Sequence, residues 1–299
     1  MTLKARLLQW HRWLALAFAL PLAIVIVTGL ILSFEPLAQQ ASLPQPLSGE
    51  RLLALLERHD PAGRATSLSL RPYENRMAIG PLAIDLATGE AARDRWSWSA
   101  LLRTSRGLHE HLLLGQSWIV IASTVAMLGL VGLGLAMGWP RPRNTLGGWH
   151  GVAAWAALPL VLLVPLTGLA ISFGIGLPSA APPPAQGTPP AQVAPLRQAV
   201  AMLVRDHPAE AIVAVRRRGP RLIATLYEHD RLRAFVVEPA GLAPLPTNWP
   251  RALHEGNWHA LLGSGANGLA SIVFTGLWLT GLLIWLRRKT RRRQRQRMA

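Results

Sequence analysis

The chain has 299 residues, 51% of them hydrophobic and only 15% charged, and its 31 Lys and Arg outweigh 15 Asp and Glu to give a net charge of +16. There is no cysteine, which excludes disulfides, thiolate-held iron–sulfur clusters and covalently attached c-type heme, so that any heme must be of the non-covalent b type. Four apolar runs, at 13–34, 112–139, 152–177 and 260–286, are long enough to cross a bilayer, for which about 18 residues suffice.

In chain order, the first transmembrane helix is expected within 1–34. Its apolar stretch exceeds that of a secretory signal, and the third run copies it, so it is expected to be retained. An external segment follows at 35–107. In it Ser48 is a good N-cap for ERLLALLERHD, a helix that ends at Pro61, and strands are expected at 66–70, 76–79 and 82–86. The second transmembrane helix occupies 108–139, a short loop 140–148, and the third helix 149–177. The second external segment, 178–253, opens with a Pro-rich spacer at 178–195. A helix to Pro208 comes next, with strands near 211–216, 221–227 and 233–238 and a turn at Pro239-Ala240-Gly241. The fourth helix is 254–286, and a basic tail covers 287–299.

Lys4, Arg6 and Arg12, then Arg141 and Arg143, then eight cations from Arg287 to Arg297 lie in stretches without Asp or Glu. The positive-inside rule therefore puts both termini and the middle loop in the cytoplasm and both long segments outside. A polybasic tail directly after a membrane helix meets anionic lipid more simply than nucleic acid. The fold class expected is membrane α-helical. Four antiparallel transmembrane helices form a bundle built from a tandem duplication, with a pseudo-two-fold axis along the membrane normal and two small external α+β domains. Pro21, Pro159 and Pro165 should kink the first and third helices.

Duplication is visible in the residues. WHRWLALAFALPLAIVIVTGLILSF (10–34) and WHGVAAWAALPLVLLVPLTGLAISF (149–173) align without a gap, matching His11 to His150, Thr28 to Thr167 and Gly29 to Gly168. Leu108-His109-Glu110-His111 is answered by Leu253-His254-Glu255 and, after an insertion, His259. Paired histidines at the ends of membrane helices point to a metal or heme held between helices. His11 and His150 belong near one face of the membrane, and His109, His111, His254 and His259 near the other. At 1.5 Å per residue the two sets stand roughly 30 Å apart, so two hemes are expected rather than one. Ala15, Ala154, Gly115 and Gly263 follow His11, His150, His111 and His259 at the i+4 spacing, which would let a flat macrocycle approach; small residues also serve helix packing, as expected for Gly29, Gly168, Gly276 and Gly281. A divalent ion held by His109, Glu110, His111, Glu255 and His259 is the rival chemistry.

The turn Ile84-Asp85-Leu86-Ala87-Thr88-Gly89-Glu90 after a helix and short strands resembles the PepSY domain. With the histidine-bearing helices around it, nearly the whole chain resembles the PepSY-associated transmembrane family, although Val237-Glu238-Pro239-Ala240-Gly241 in the second half lacks the threonine. That resemblance implies a protein of the bacterial inner membrane, with external segments in the periplasm, that takes part in iron uptake as a heme-containing ferric-siderophore reductase. It favours His109 and His254 as the outer ligands, whereas the glycine spacing favours His111 and His259. The acceptor would be a ferric siderophore or another ferric chelate, attracted by Arg216, Arg217, Arg218 and Arg221. No G-x-G-x-x-G follows a strand and the cytoplasmic parts are short, so the expected donor is a membrane quinol or a separate protein. The alternatives are a non-redox PepSY module that binds or regulates a partner protein, and an accessory subunit of metal import.

Overall fold

Apolar helices supply the frame, and residues that cannot continue a helix subdivide it. The computed structural model describes residues 2–92, 97–112, 115–178, 195–239 and 241–297; most of the expected Pro-rich spacer (179–194) and Ala240 of the expected turn lie outside these. The elements in order are α1 (Leu3–Ala17), α2 (Ala19–Leu32), α3 (Glu35–Gln39), α4 (Gly49–His59), β1 (Ser67–Arg71), β2 (Arg76–Ile79), β3 (Leu82–Asp85), α5 (Trp98–His111) and α6 (Ser117–Ala136) in the first half. The second half adds α7 (Leu146–Ala156), α8 (Leu158–Ser172), α9 (Leu196–Asp206), β4 (Ile212–Arg218), β5 (Arg221–Glu228), β6 (Arg231–Glu238), β7 (Gly241–Pro244), α10 (Trp249–Glu255) and α11 (Ala260–Arg297).

Among the described residues three helical stretches are long and apolar enough to cross a membrane: Ala19–Gln39, Ser117–Ala136 and Ala260–Arg291. A fourth candidate is α7 with α8, bent by 65° at their junction. Leu20, Val27, Leu166 and Ile272 are at least half exposed, as befits side chains that meet lipid. The chain is thus a helical membrane protein that also carries an antiparallel sheet. The breaks at Phe18 and Ala157 fall at aligned positions of the repeat. Just beyond them, Pro21 and Pro159 lack an N–H, and each ring crowds the carbonyl four residues back. Pro165, by contrast, lies inside α8.

Helix packing repeats between the halves: α1 lies on α6 as α7 lies on α11, α2 on α5 as α8 on α10, and α2 on α11 as α8 on α6. Leu22, Ile26, Met127, Val161 and Phe274 fill the centre. Trp278 Nε1 donates to the Ala19 carbonyl at 2.9 Å, tying α11 to the first break.

The strands and helices expected in 35–107 and 178–253 are present among the described residues, and Ser48 caps α4 by accepting from the Arg51 N–H at 3.1 Å. They do not form two domains, however. All strands among the described residues join one antiparallel sheet of order β3-β2-β1-β4-β5-β6-β7, because β1 pairs with β4 around Leu68 and Val215. Three short strands under one helix bury little apolar area and leave open edges. Pairing their first strands closes two edges and merges two half-cores. α4 and α9 cover one face of the sheet over a shared core that includes Leu52, Leu56, Leu68, Met77, Leu203, Ile212 and Leu226. The short strand β7 was not expected; its ends, Gly241 and Pro244, are poor strand formers.

The opposite face of the sheet meets the helix ends. Arg71 donates to Ser99 Oγ at 3.1 Å, and Tyr227 donates its hydroxyl to the Pro36 carbonyl at 3.2 Å. Burial, then the nearby Glu35 charge, raise the Tyr227 phenol's pKa, so it remains a donor at neutral pH. The β5–β6 turn, with His229 and Asp230 both left-handed at φ 49 and 62°, docks on the α10–α11 connection. There the Ala260 N–H donates to Asp230 O at 3.0 Å and the Leu232 N–H to Asn257 O at 3.1 Å.

A shared core makes a specific demand. Leu203→Ala, on α9, should cost about 2–5 kcal/mol and should accelerate amide hydrogen exchange in β1–β3 as well as β4–β6. Acceleration confined to the second half's strands would mean that the two halves of the sheet unfold independently.

Candidate functional site

Two pairs of histidines face each other across the helices, each pair taking one ring from each half. His11 on α1 and His150 on α7 have ring centroids 6.4 Å apart and perpendicular planes. His109 on α5 and His254 on α10 are 6.0 Å apart with planes tilted by 45°. All four are partly buried. Of the four candidates His109, His111, His254 and His259, it is His109 and His254 that meet.

The seats of the outer pair repeat atom for atom. His109 Nδ1 lies 3.1 Å from the Val25 carbonyl and 3.1 Å from Thr28 Oγ1. His254 Nδ1 lies 3.1 Å from the Val164 carbonyl and 3.3 Å from Thr167 Oγ1. A carbonyl only accepts, so Nδ1 carries the proton; the threonine hydroxyls spend theirs on Ile24 O and Leu163 O. In a neutral ring this leaves Nε2 with a free lone pair, the arrangement that orients a metal-ligating histidine. Behind each ring is a glycine. An added Cβ on Gly29 would stand 3.2 Å from His109 Cε1, and one on Gly168 only 2.8 Å from His254 Cε1. The repeated Thr-Gly pair, which in sequence looks like a helix-packing device, is therefore the cradle of the outer imidazoles.

The inner pair is less symmetric. His150 Nδ1 is 2.8 Å from Thr280 Oγ1. That hydroxyl donates to the Gly276 carbonyl, so His150 too carries its proton on Nδ1. An added Cβ on the next residue, Gly281, would touch the His150 ring at 3.7 Å, which makes Thr280-Gly281 a third Thr-Gly seat. In the spacing that aligns His111 with His259, Thr280 corresponds to Gly132 on α6. No hydroxyl stands there for His11, whose Nδ1 is buried without a hydrogen bond.

Along the chain 18 residues separate His11 from Gly29 and His150 from Gly168 (29 − 11 and 168 − 150), a path of about 27 Å that breaks at Phe18 and at Ala157, where it bends by 65°. The pairs thus occupy two levels. A metal–nitrogen bond of about 2 Å on each side, plus roughly 1 Å from nitrogen to ring centre, sets two axial imidazole centres about 6 Å apart. Both observed spacings fit that requirement, and the pinned Nδ1 atoms and glycine cradles fit it as well.

The remaining expected residues are placed differently. His111 ends α5, exposed, with Nδ1 2.9 Å from Ser117 Oγ. The chain reverses at Leu112 (φ 47°), and Gly115 (φ 66°) lies in the turn, so no continuous helix stacks Gly115 over His111. His259 precedes α11 beside Trp258, and Gly263 packs against the Gly256 backbone, where a Cβ would collide. Neither glycine flanks a paired histidine. Ala15 and Ala154 do follow the inner pair by one turn on α1 and α7, both partly buried. Glu110 is 3.7 Å from Arg106, and Glu255 2.8 Å from Arg251; among the described residues no three His, Asp or Glu side chains gather as an ion cage. Arg216, Arg217, Arg218 and Arg221 are exposed at the β4–β5 hairpin, but the period-two alternation puts Arg217 on the opposite face from Arg216 and Arg218. Arg221, paired directly opposite Arg218, shares the face of Arg216 and Arg218, so three of the four lie together. Arg216 is on the face toward the helices, within electrostatic reach of Glu35, and Glu35 is ion-paired with Arg106. A polar layer of Glu35, Arg106, Arg216 and Tyr227 hence separates the sheet from the outer histidines.

The glycine cradle can be tested directly by unfolding measurements in detergent. Gly168→Ala should destabilise the protein by about 1–3 kcal/mol as the Cβ drives into His254, whereas Gly134→Ala, which has open space, should be neutral or stabilising by up to about 1 kcal/mol. Equal effects would show that His254 does not rest on Gly168.

No curated protein matches the chain. A family model described as the PepSY-associated TM region matches residues 8–288. That span includes both histidine pairs, their Thr-Gly seats and every strand of the sheet, and the chain belongs to this family of PepSY-associated transmembrane proteins.

Proposed function

We propose that the protein is a b-type heme electron carrier of the bacterial inner membrane that reduces the iron of a ferric chelate, such as a ferric siderophore, in the periplasm during iron uptake. The observation that carries this reading is the pair of facing imidazoles at each of two levels, with ring protons held on Nδ1 where a hydrogen bond fixes them. His11 and His150 would hold one heme, and His109 and His254 a second. When bound, heme supplies a one-electron couple whose potential depends on its axial ligands and on burial.

The protein's own residues do the rest. The Val25 and Val164 carbonyls and the Thr28 and Thr167 hydroxyls make the outer imidazoles more electron-rich and fix their direction. Apolar side chains such as Leu22, Ile26, Val161 and Phe274 keep water out between the two levels. The polar layer beneath the sheet is the approach for a charged chelate, with the exposed Arg216 available to its anionic groups. Ferric iron accepts one electron there, and the ferrous ion binds oxygen ligands more weakly, so iron is released. The electron donor is a membrane quinol or a separate protein, at the level of His11 and His150, and the basic residues near that level orient it toward the cytoplasm.

Purified protein should show a reducible b-type absorption spectrum, with two hemes per chain by pyridine hemochrome. His11→Ala or His150→Ala should each remove one heme and leave the other, and His109→Ala or His254→Ala should remove the complementary one. A folded but colourless protein, or unchanged heme content in all four variants, would overturn the reading in favour of a partner-binding PepSY module.

A further inference from the structure

Helix α11 does not end where the membrane does. Its 38 residues run unbroken to Arg297, about 57 Å of helix against a hydrocarbon core of about 30 Å. Its last turns therefore extend past the apolar region. In this extension Trp285, Arg288, Lys289 and Arg293 recur at i, i+3, i+4 and i+8 and share one face. That face, together with α1, lines a cleft of about 580 Å³, to which α1 contributes Arg12, Trp13 and Leu16.

The chemistry of the cleft is one-sided. Neither α1 nor the chain beyond Trp285 contains an Asp or Glu, and among the described residues no carboxylate pairs with these cations. Like charges gathered between two helices repel each other unless an anion joins them. The walls are aromatic: Lys289 Nζ stands 4.9 Å over the Trp285 ring, and Arg12 Cζ is 5.9 Å from that of Trp13. Tryptophans of this kind mark the level of lipid head groups. Leu16, one turn beyond Arg12, adds an apolar contact on the side toward the bilayer.

We propose that this cleft binds the phosphate head group of an anionic phospholipid, with Arg12, Arg288 and Lys289 around the phosphate and Leu16 against an acyl chain. Cations joined to an apolar contact at the membrane surface match a lipid better than a free anion, which has no use for Leu16. Cations gathered from two helices around one cleft also suit a single head group better than the broad face of an acidic protein. The site adjoins His11 through Arg12, yet it stands on charge and position alone and does not require heme.

The test uses the full-length protein in detergent, titrated with phosphatidylglycerol or phosphatidylcholine and read by native mass spectrometry. Phosphatidylglycerol should bind in preference to phosphatidylcholine. R12Q/R288Q should weaken that binding roughly 10- to 30-fold, while R141Q/R143Q, which removes equal charge from the middle loop, should change it at most about threefold. R12K/R288K should bind nearly as wild type, and helical content should match in all variants. Equal losses in both Gln variants would overturn the proposal in favour of diffuse attraction, and loss in the Lys variant would overturn it in favour of a structural role for the arginines. Equal binding of phosphatidylcholine, displacement by excess inorganic phosphate, or binding of an acidic protein in place of lipid would overturn it as well.

Discussion

Everything at the centre of this protein depends on one small hydrogen bond, from an imidazole Nδ1 to a main-chain carbonyl or threonine hydroxyl on a neighbouring helix. It settles which nitrogen bears the proton, and so which one points away with a lone pair. A helix interior has no spare N–H groups, and its carbonyls retain a second lone pair. A histidine arriving from another helix is thus the natural donor, provided the surface is low enough to admit the ring. Glycine next to threonine meets both needs, lowering the surface and adding an acceptor. Three of the four paired histidines rest on such a seat, at Thr28-Gly29, Thr167-Gly168 and Thr280-Gly281.

The membrane part and the sheet are both built by pairing elements of one half with elements of the other. β1 and β4 are the first strands of their halves and pair antiparallel, as a two-fold axis requires of a strand that meets its own copy. α4 and α9 lie together over that junction, with Gly49 close against Val204. Both histidine pairs bring together one ring from each half. The β5–β6 turn then locks the sheet to the helices beside His254, so the polar layer between them has a defined floor and ceiling.

Much of this was legible in the residues. The apolar runs, the Ser48 cap, six of the seven strands and the pairing of His11 with His150 follow from local periodicity and from the register of the repeat. What local pattern cannot contain is which edge strand finds which: Leu68 and Val215 meet only because two half-cores are each too small alone, and the sequence reading accordingly expected two domains. The i+4 relation of His111 to Gly115 failed for a related reason. It assumed a continuous helix, whereas Leu112 and Gly115 adopt left-handed backbone and end it. Two of the Thr-Gly seats, Thr28-Gly29 and Thr167-Gly168, are visible as a motif at constant distance from His11 and His150, but their role follows only from the third helix that delivers a ring onto each.

The placement of the seam has a further effect. Because each pair is shared, neither half possesses a complete centre, and cutting the chain in the 140–148 loop would leave every imidazole facing its counterpart across a break between two molecules. Away from the seam the halves differ: one carries β7 and the long basic helix, the other the Thr88-Gly89 turn. The halves are alike where each supplies one ring of a pair, and differ at these elements, which no pair requires.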